Sequence, residues 1–118
     1  PKDKMNYRDL EPEDAQTELQ AQPEPDQSAP RLLDVRTEPE HQSHRLPNSV
    51  LIPVQELAQR TAELDPNEHW FVYCEHGQRS LFACDILAGA GFTQLTNIRG
   101  GMANWAGRGL PYEQPGKS

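Results

Sequence analysis

The segment that most constrains this chain is Trp70-Phe71-Val72-Tyr73, which runs straight into Cys74 and, after a short loop, into a helical stretch. The four residues are aromatic or β-branched and follow turn residues, the composition of a buried strand. From Ser80 to Ala90 nearly every side is apolar and Asp85 carries the only charge, which predicts a helix buried against a sheet. Gly89 and Gly91 end it. Cys74 therefore stands at the carboxyl end of a central strand, and in open α/β sheets ligands bind at those ends.

The remaining segments supply partners for that strand. Leu32-Leu33-Asp34-Val35 and Val50-Leu51-Ile52 are short apolar runs that read as buried strands, the second stopped by Pro53. Leu95 to Ile98 reads as a last strand and Met5 to Leu10 as a short edge strand. One helix is expected after Leu10, with Pro12 in its first turn and Ala15 and Leu19 on its buried side. Another is expected across residues 54–64, closed by Asp65-Pro66-Asn67. Gln20 to Pro30 reads as a loop, and the stretch after Val35, interrupted by Pro39 and Pro47, as irregular. Gly100-Gly101 breaks the chain before a short helix holding Met102 and Trp105. Strands alternating with helices imply an α/β fold around a mostly parallel central sheet flanked by helices. At 118 residues the chain accommodates one domain with one core.

Charge and cysteine content narrow the function. A net charge of -7 speaks against nucleic acid or an anionic membrane surface as the main partner. A small anionic substrate stays compatible, because a local basic site can sit in an acidic protein. No apolar run approaches membrane-span length, and nothing resembles a signal peptide. Two cysteines ten positions apart make neither a disulfide framework nor a zinc-ligand set. No metal is expected, and a reducing, cytoplasmic compartment is. The acidic, proline-rich residues 1–30 carry few large apolar side chains, so part of that stretch is expected to be loosely ordered, with its carboxylates in solvent.

Cys74-Glu75-His76-Gly77-Gln78-Arg79-Ser80 carries the chemistry. A thiol at a strand end, before a Gly-containing loop and a helix start, has backbone N–H groups available to converge on one point. Such a concavity favours negative charge, whether a thiolate or a bound anion. Arg79 adds a planar positive fork suited to an oxyanion, and the thiolate is the reactive form of cysteine. Gly77 suits an unusual backbone angle or a close approach of substrate, and Ser80 is placed to cap the following helix. His76 is a donor-binding group or, more simply, a solvated loop histidine. Cys84, inside the apolar helix, reads as a packing residue. Asp34 and Arg36 read as buried or half-buried scaffold, and Phe92 and Trp105 as core.

In order and spacing these residues resemble the rhodanese family. Cys74, Gly77, Arg79 and Ser80 are similar to its C-x-x-G-x-R-S active-site loop, and Asp34-Val35-Arg36 with Glu40 to its D-V-R-x-x-x-E. Leu46-Pro47-Asn48-Ser49 leading to Leu51-Ile52-Pro53 resembles the family's I-x-G-A-x-x-I-P. Gly89-Ala90-Gly91-Phe92 and Gly100-Gly101 with Trp105, Gly109 and Pro111 continue the likeness, over roughly residues 5–113. Departures from the pattern fall in two places. The family's Gly-His pair falls on His44-Arg45, and a later glycine is Asn48, a residue that tolerates left-handed backbone angles better than most. Glu75 stands where thiosulfate-specialised members often carry Arg, and a carboxylate facing the donor would weaken attraction for a dianion.

The resemblance implies a rhodanese-like α/β domain and a sulfurtransferase working by double displacement. Cys74, the catalytic residue, attacks the outer sulfur of a small anionic donor such as thiosulfate and becomes a persulfide. It then passes that sulfur to cyanide, a thiol or a protein acceptor, without a cofactor. Glu75, His76, Gly77, Gln78, Arg79 and Ser80 would form the substrate-binding loop. Two other readings compete: a phosphatase or arsenate reductase of the related fold, and a non-catalytic interaction domain. Four residues separate Cys74 from Arg79, one fewer than in the phosphatase pattern, and the narrower cradle suits a sulfur atom better than a tetrahedral oxyanion.

Overall fold

A computed structural model describes residues 6–114. Its strands are β1 (Arg8–Leu10), β2 (Arg31–Asp34), β3 (Ser49–Leu51), β4 (Trp70–Tyr73) and β5 (Leu95–Ile98). They form one parallel sheet in the order β1-β5-β4-β2-β3. The helices are α1 (Pro12–Gln20), α2 (Glu38–Ser43), α3 (Val54–Arg60), α4 (Arg79–Gly89) and α5 (Gly101–Gly107). The expected mostly parallel α/β architecture is thus present.

Alternation along β4 divides the core between the two faces of the sheet. Trp70 and Val72 pack with Leu33, Ile52, Leu57, Ala83 and Leu87, beneath α3 and α4. Phe71 and Tyr73 face the other way, onto Ala15, Leu46, Met102 and Trp105 of the layer that holds α1 and α5. All four β4 side chains are buried because the strand is central and both faces are covered. Its register sets Tyr73 opposite Asp34, which brings the carboxyl ends of β4 and β2 side by side. Arg36 and Glu75 meet for that reason, at 3.0 Å.

Several expectations need correction. The stretch after Val35 contains a helix, α2, rather than irregular chain. Pro39 lies in its first turn, where a missing N–H breaks no helical bond. Thr37 and Glu40 form a capping box: Thr37 N–H donates to Glu40 Oε1 at 2.9 Å and Glu40 N–H to Thr37 Oγ1 at 3.4 Å. The helix expected over 54–64 is α-helical only to Arg60 and finishes as a 3-10 turn over Thr61–Glu63. Nor is α4 covered on every side, since Phe82 is 62% exposed.

The acidic segment near the N-terminus is also less free than its composition predicts. Glu11 bridges Arg99 at 2.8 Å and Arg108 at 2.7 Å, and Glu13 reaches Arg108 at 2.7 Å. Those arginines, distant in sequence, dock α1 against β5 and the end of α5. The edge strand begins at Arg8, and the expectation for Met5 lies outside the described residues. Asn48 does adopt the left-handed conformation foreseen for it, with φ of 62°.

Candidate active site

The chain from Cys74 to Gln78 joins β4 to α4 and folds around the Cys74 sulfur. Gly77 N–H donates to Sγ at 3.1 Å and Ser80 N–H at 3.3 Å, with Ser80 Oγ 3.4 Å away. Two backbone dipoles and a hydroxyl therefore converge where negative charge on sulfur would sit. Cys74 is 1% exposed, so the sulfur lies inside the loop rather than on its surface.

The loop holds this shape because glycines let two backbones touch. Gly77 has φ of 93°, and a Cβ on it would come within 2.9 Å of Gly100 N. Gly101 has φ of 67°, and a Cβ there would collide with the Cys74 carbonyl and stand 2.7 Å from the Glu75 carbonyl carbon. That proximity brings the first turn of α5 behind the loop. Met102 N–H donates to the Cys74 carbonyl at 2.8 Å and Ala103 N–H to the Glu75 carbonyl at 3.0 Å. With these carbonyls held by α5, the following N–H groups turn toward the sulfur. The Gly100-Gly101 pair was visible in the sequence as a chain break, but its contact with the cysteine loop was not.

Arg79 was expected to offer its fork to an anion. Its guanidinium instead meets Glu40 of α2 through two bonds of 2.9 Å. The Arg79 bonds push the Glu40 carboxyl down to about 2. In the sequence Glu40 stands out only as part of a motif. The Thr37-to-Glu40 spacing signals the capping box that fixes α2, and so was the readable clue to its placement.

Glu75 departs furthest from expectation. Its carboxylate does not face the donor as a free charge; Oε1 accepts from Arg36 Nη1 at 3.0 Å. Arg36, read as buried or half-buried scaffold, is fully buried. Its Nε and Nη2 donate to Asp34 over 2.8–3.2 Å, and Nη2 also to the His44 carbonyl at 2.6 Å. Burial pushes the guanidinium down, but the bonds and charge of Asp34 outweigh it, and the net shift is upward.

Ser80 does not cap α4. It is the second residue of that helix, and its N–H and hydroxyl face the Cys74 sulfur. His76 and Gln78 are exposed. Cys84 is buried in the core under α4, and burial, with Asp85 and Asp9 adding to it, pushes its thiol up to about 12. Among the described residues no group of three or more His, Cys, Asp or Glu side chains is placed to hold a metal ion, and no helix is long and apolar enough to cross a membrane.

The chain is similar to known proteins. A family model described as a rhodanese-like domain matches residues 13–108. A protein named sulfurtransferase from Allochromatium vinosum is 33% identical over 71% of this chain and 78% of its own length. The putative sulfur carrier protein YrkF of Bacillus subtilis is 34% identical over 65% of this chain, which spans only 42% of that relative. The crystal structure of a rhodanese-related protein from Thermoplasma volcanium superposes with a TM-score of 0.79 at 28% identity, over 91% of this chain and 98% of that one. With the parallel sheet, the cysteine loop at the end of its central strand and a family match over most of its length, the chain belongs to the rhodanese-like family, among relatives named for sulfur transfer and sulfur carriage.

Proposed function

We propose that this protein is a sulfurtransferase that carries sulfane sulfur as a persulfide on Cys74. The observation that supports this most is the convergence of the Gly77 and Ser80 N–H groups on a thiol sulfur at the end of the central strand. Donors preorganised around sulfur stabilise negative charge there without reorganising during reaction.

The chemistry balances simply. The Cys74 thiolate attacks the outer sulfur of thiosulfate, a new S–S bond forms, and the bond to the sulfonate breaks, with sulfite leaving on the electron pair. A nucleophile such as cyanide or a thiolate then attacks the outer sulfur of the persulfide. The carrier bond breaks, its electron pair returns to Cys74, and thiocyanate or a new persulfide departs. Glu75, His76, Gly77, Gln78, Arg79 and Ser80 frame the donor, with the backbone N–H groups as the principal anion holders. Arg79 takes part as one half of its pair with Glu40 rather than as a free cation. The loop, one residue shorter than the phosphatase pattern, favours sulfur over a phosphate or arsenate ester. An ordered set of donors around Cys74 favours chemistry over a purely adhesive domain. Two free cysteines suit a reducing, cytoplasmic setting.

Intact mass measured after exposure to thiosulfate tests the proposal. One added sulfur atom, located on Cys74 and lost again with release of thiocyanate on adding cyanide, is the expected result. An unchanged mass, or sulfur found on Cys84 alone, would sink it.

A further inference from the structure

We propose that Glu75 is a positioning residue: its carboxylate latches the Cys74 loop onto the buried guanidinium of Arg36, and so keeps the Gly77 and Ser80 N–H groups aimed at the sulfur. The idea deepens the sulfurtransferase reading and rests on it only for turnover.

Residue 75 is held at both ends. Its main-chain carbonyl accepts from Ala103 N–H of α5 at 3.0 Å, and its side chain accepts from Arg36 Nη1 at 3.0 Å. Arg36 is a buried, multiply bonded anchor. It has no exposed side-chain surface, Asp34 grips it through both carboxylate oxygens, and the Arg36 N–H also donates to Asp34 Oδ1 at 2.9 Å. The loop between β4 and α4 is therefore tied on one side to α5 and on the other to the segment that follows β2. Glu75 is the tie on the second side that lies one residue from the nucleophile; the Arg79–Glu40 pair is another, at the far end of the loop.

Removing that tie has a defined cost. Nη1 of a wholly buried cation would lose its acceptor, and an unsatisfied buried donor is expensive, more so when charged. The loop or the arginine must then shift, and either movement displaces the donors around Cys74. Glu75 itself keeps 21% side-chain exposure, so replacing it opens no large cavity. The pairing also reduces the electrostatic role that a lone carboxylate would have. Arg36, 3.0 Å away, draws the Glu75 carboxylate onto itself, and although it shares its one positive charge between Asp34 and Glu75, it weakens the repulsion that Glu75 presents to an approaching anion.

Glu75→Gln and Glu75→Ala separate these roles. Alkylation of Cys74 by neutral iodoacetamide and by anionic iodoacetate, read from the mass of its peptide, reports the loop without requiring sulfur transfer. The latch moves both rates in Glu75→Ala by a common factor, so their ratio stays within about twofold because the carboxylate removed is partly exposed and held by Arg36. In thiosulfate:cyanide turnover kcat falls about tenfold in Glu75→Ala with KM little changed, as expected for misplaced donors. Glu75→Gln, which keeps an acceptor oxygen for Arg36, recovers most of that loss. Two results overturn the latch: unaltered alkylation rates in Glu75→Ala, or a several-fold rise of the iodoacetate ratio in both variants with a lower thiosulfate KM. If Glu75→Ala does not fold, the alkylation ratio in Glu75→Gln decides between the roles. Absence of turnover even in the unaltered protein would count against sulfur transfer, while the alkylation rates would still judge the latch.

Discussion

Cys74 and Cys84 are ten residues apart and almost equally hidden, at 1% and 0% exposure, yet their surroundings differ in kind. The Cys74 sulfur receives two backbone N–H groups and lies beside a hydroxyl. Cys84 lies on the buried face of α4 among Ala83, Leu87 and the β4 side chains, where burial pushes its thiol up to about 12. Burial alone therefore says little about a cysteine. Dipoles aimed at the sulfur stabilise a thiolate, whereas a hydrocarbon enclosure favours the thiol. A strand end followed by a glycine-bearing loop supplies the first environment, and a helix interior supplies the second.

The most severe way to break this comparison is to exchange the two thiols for hydroxyls. Cys74→Ser is expected to abolish thiosulfate:cyanide transfer, and Cys84→Ser to keep most of it. Turnover surviving in Cys74→Ser, or lost only in a folded Cys84→Ser protein, would reverse the assignment. The next effect concerns the surface behind the loop. Gly101→Ala drives a methyl group into the Cys74 and Glu75 carbonyls, and displacing the loop by that contact should lower kcat about a hundredfold. Gly107→Ala, whose Cβ meets nothing within 4 Å, is the matched control and should leave kcat alone.

Smaller effects sharpen the contrast. Cys84→Ser places a hydroxyl in the apolar core and should cost about 1–3 kcal/mol in denaturant unfolding, with little change in transfer. A loss of activity without loss of stability would mean that Cys84 is more than packing. The smallest effect is on acid stability. Bonds to Arg79 lower the Glu40 carboxyl from its ordinary value of 4.5 to about 2, so its contribution is complete above about pH 4.5 and disappears as pH falls toward 2. Glu40→Gln should therefore lower stability at neutral pH and flatten the acid limb between those values. An acid limb of unchanged slope would show that Arg79 does not hold Glu40 in solution as it does here.

Much of the fold could be read from local pattern. β4 announced itself through its aromatic and β-branched residues, α4 through its apolar run, and the break before α5 through adjacent glycines. Asn48 at a left-handed turn was legible because few side chains tolerate that conformation. Thr37 and Glu40 carry the capping signal of α2; Pro39 and Pro47 argue locally against a helix there, yet Pro39 is harmless in a first turn.

The sequence by itself determined which residue is the nucleophile candidate, which backbone carries it and which family the pattern resembles. All three follow from residues near one another along the chain, where spacing translates directly into geometry. Tertiary structure alone decided how the charges are used. Glu75 looked like a carboxylate facing the donor and Arg79 like a free anion receptor, but Arg36 and Glu40, each 39 positions away, take up those charges. The acidic start of the chain likewise found its cations more than 80 positions on, in Arg99 and Arg108. Coulomb partners are set by distance in space, and nothing in a string of residues fixes that distance until the sheet has brought β2 beside β4 and β1 beside β5.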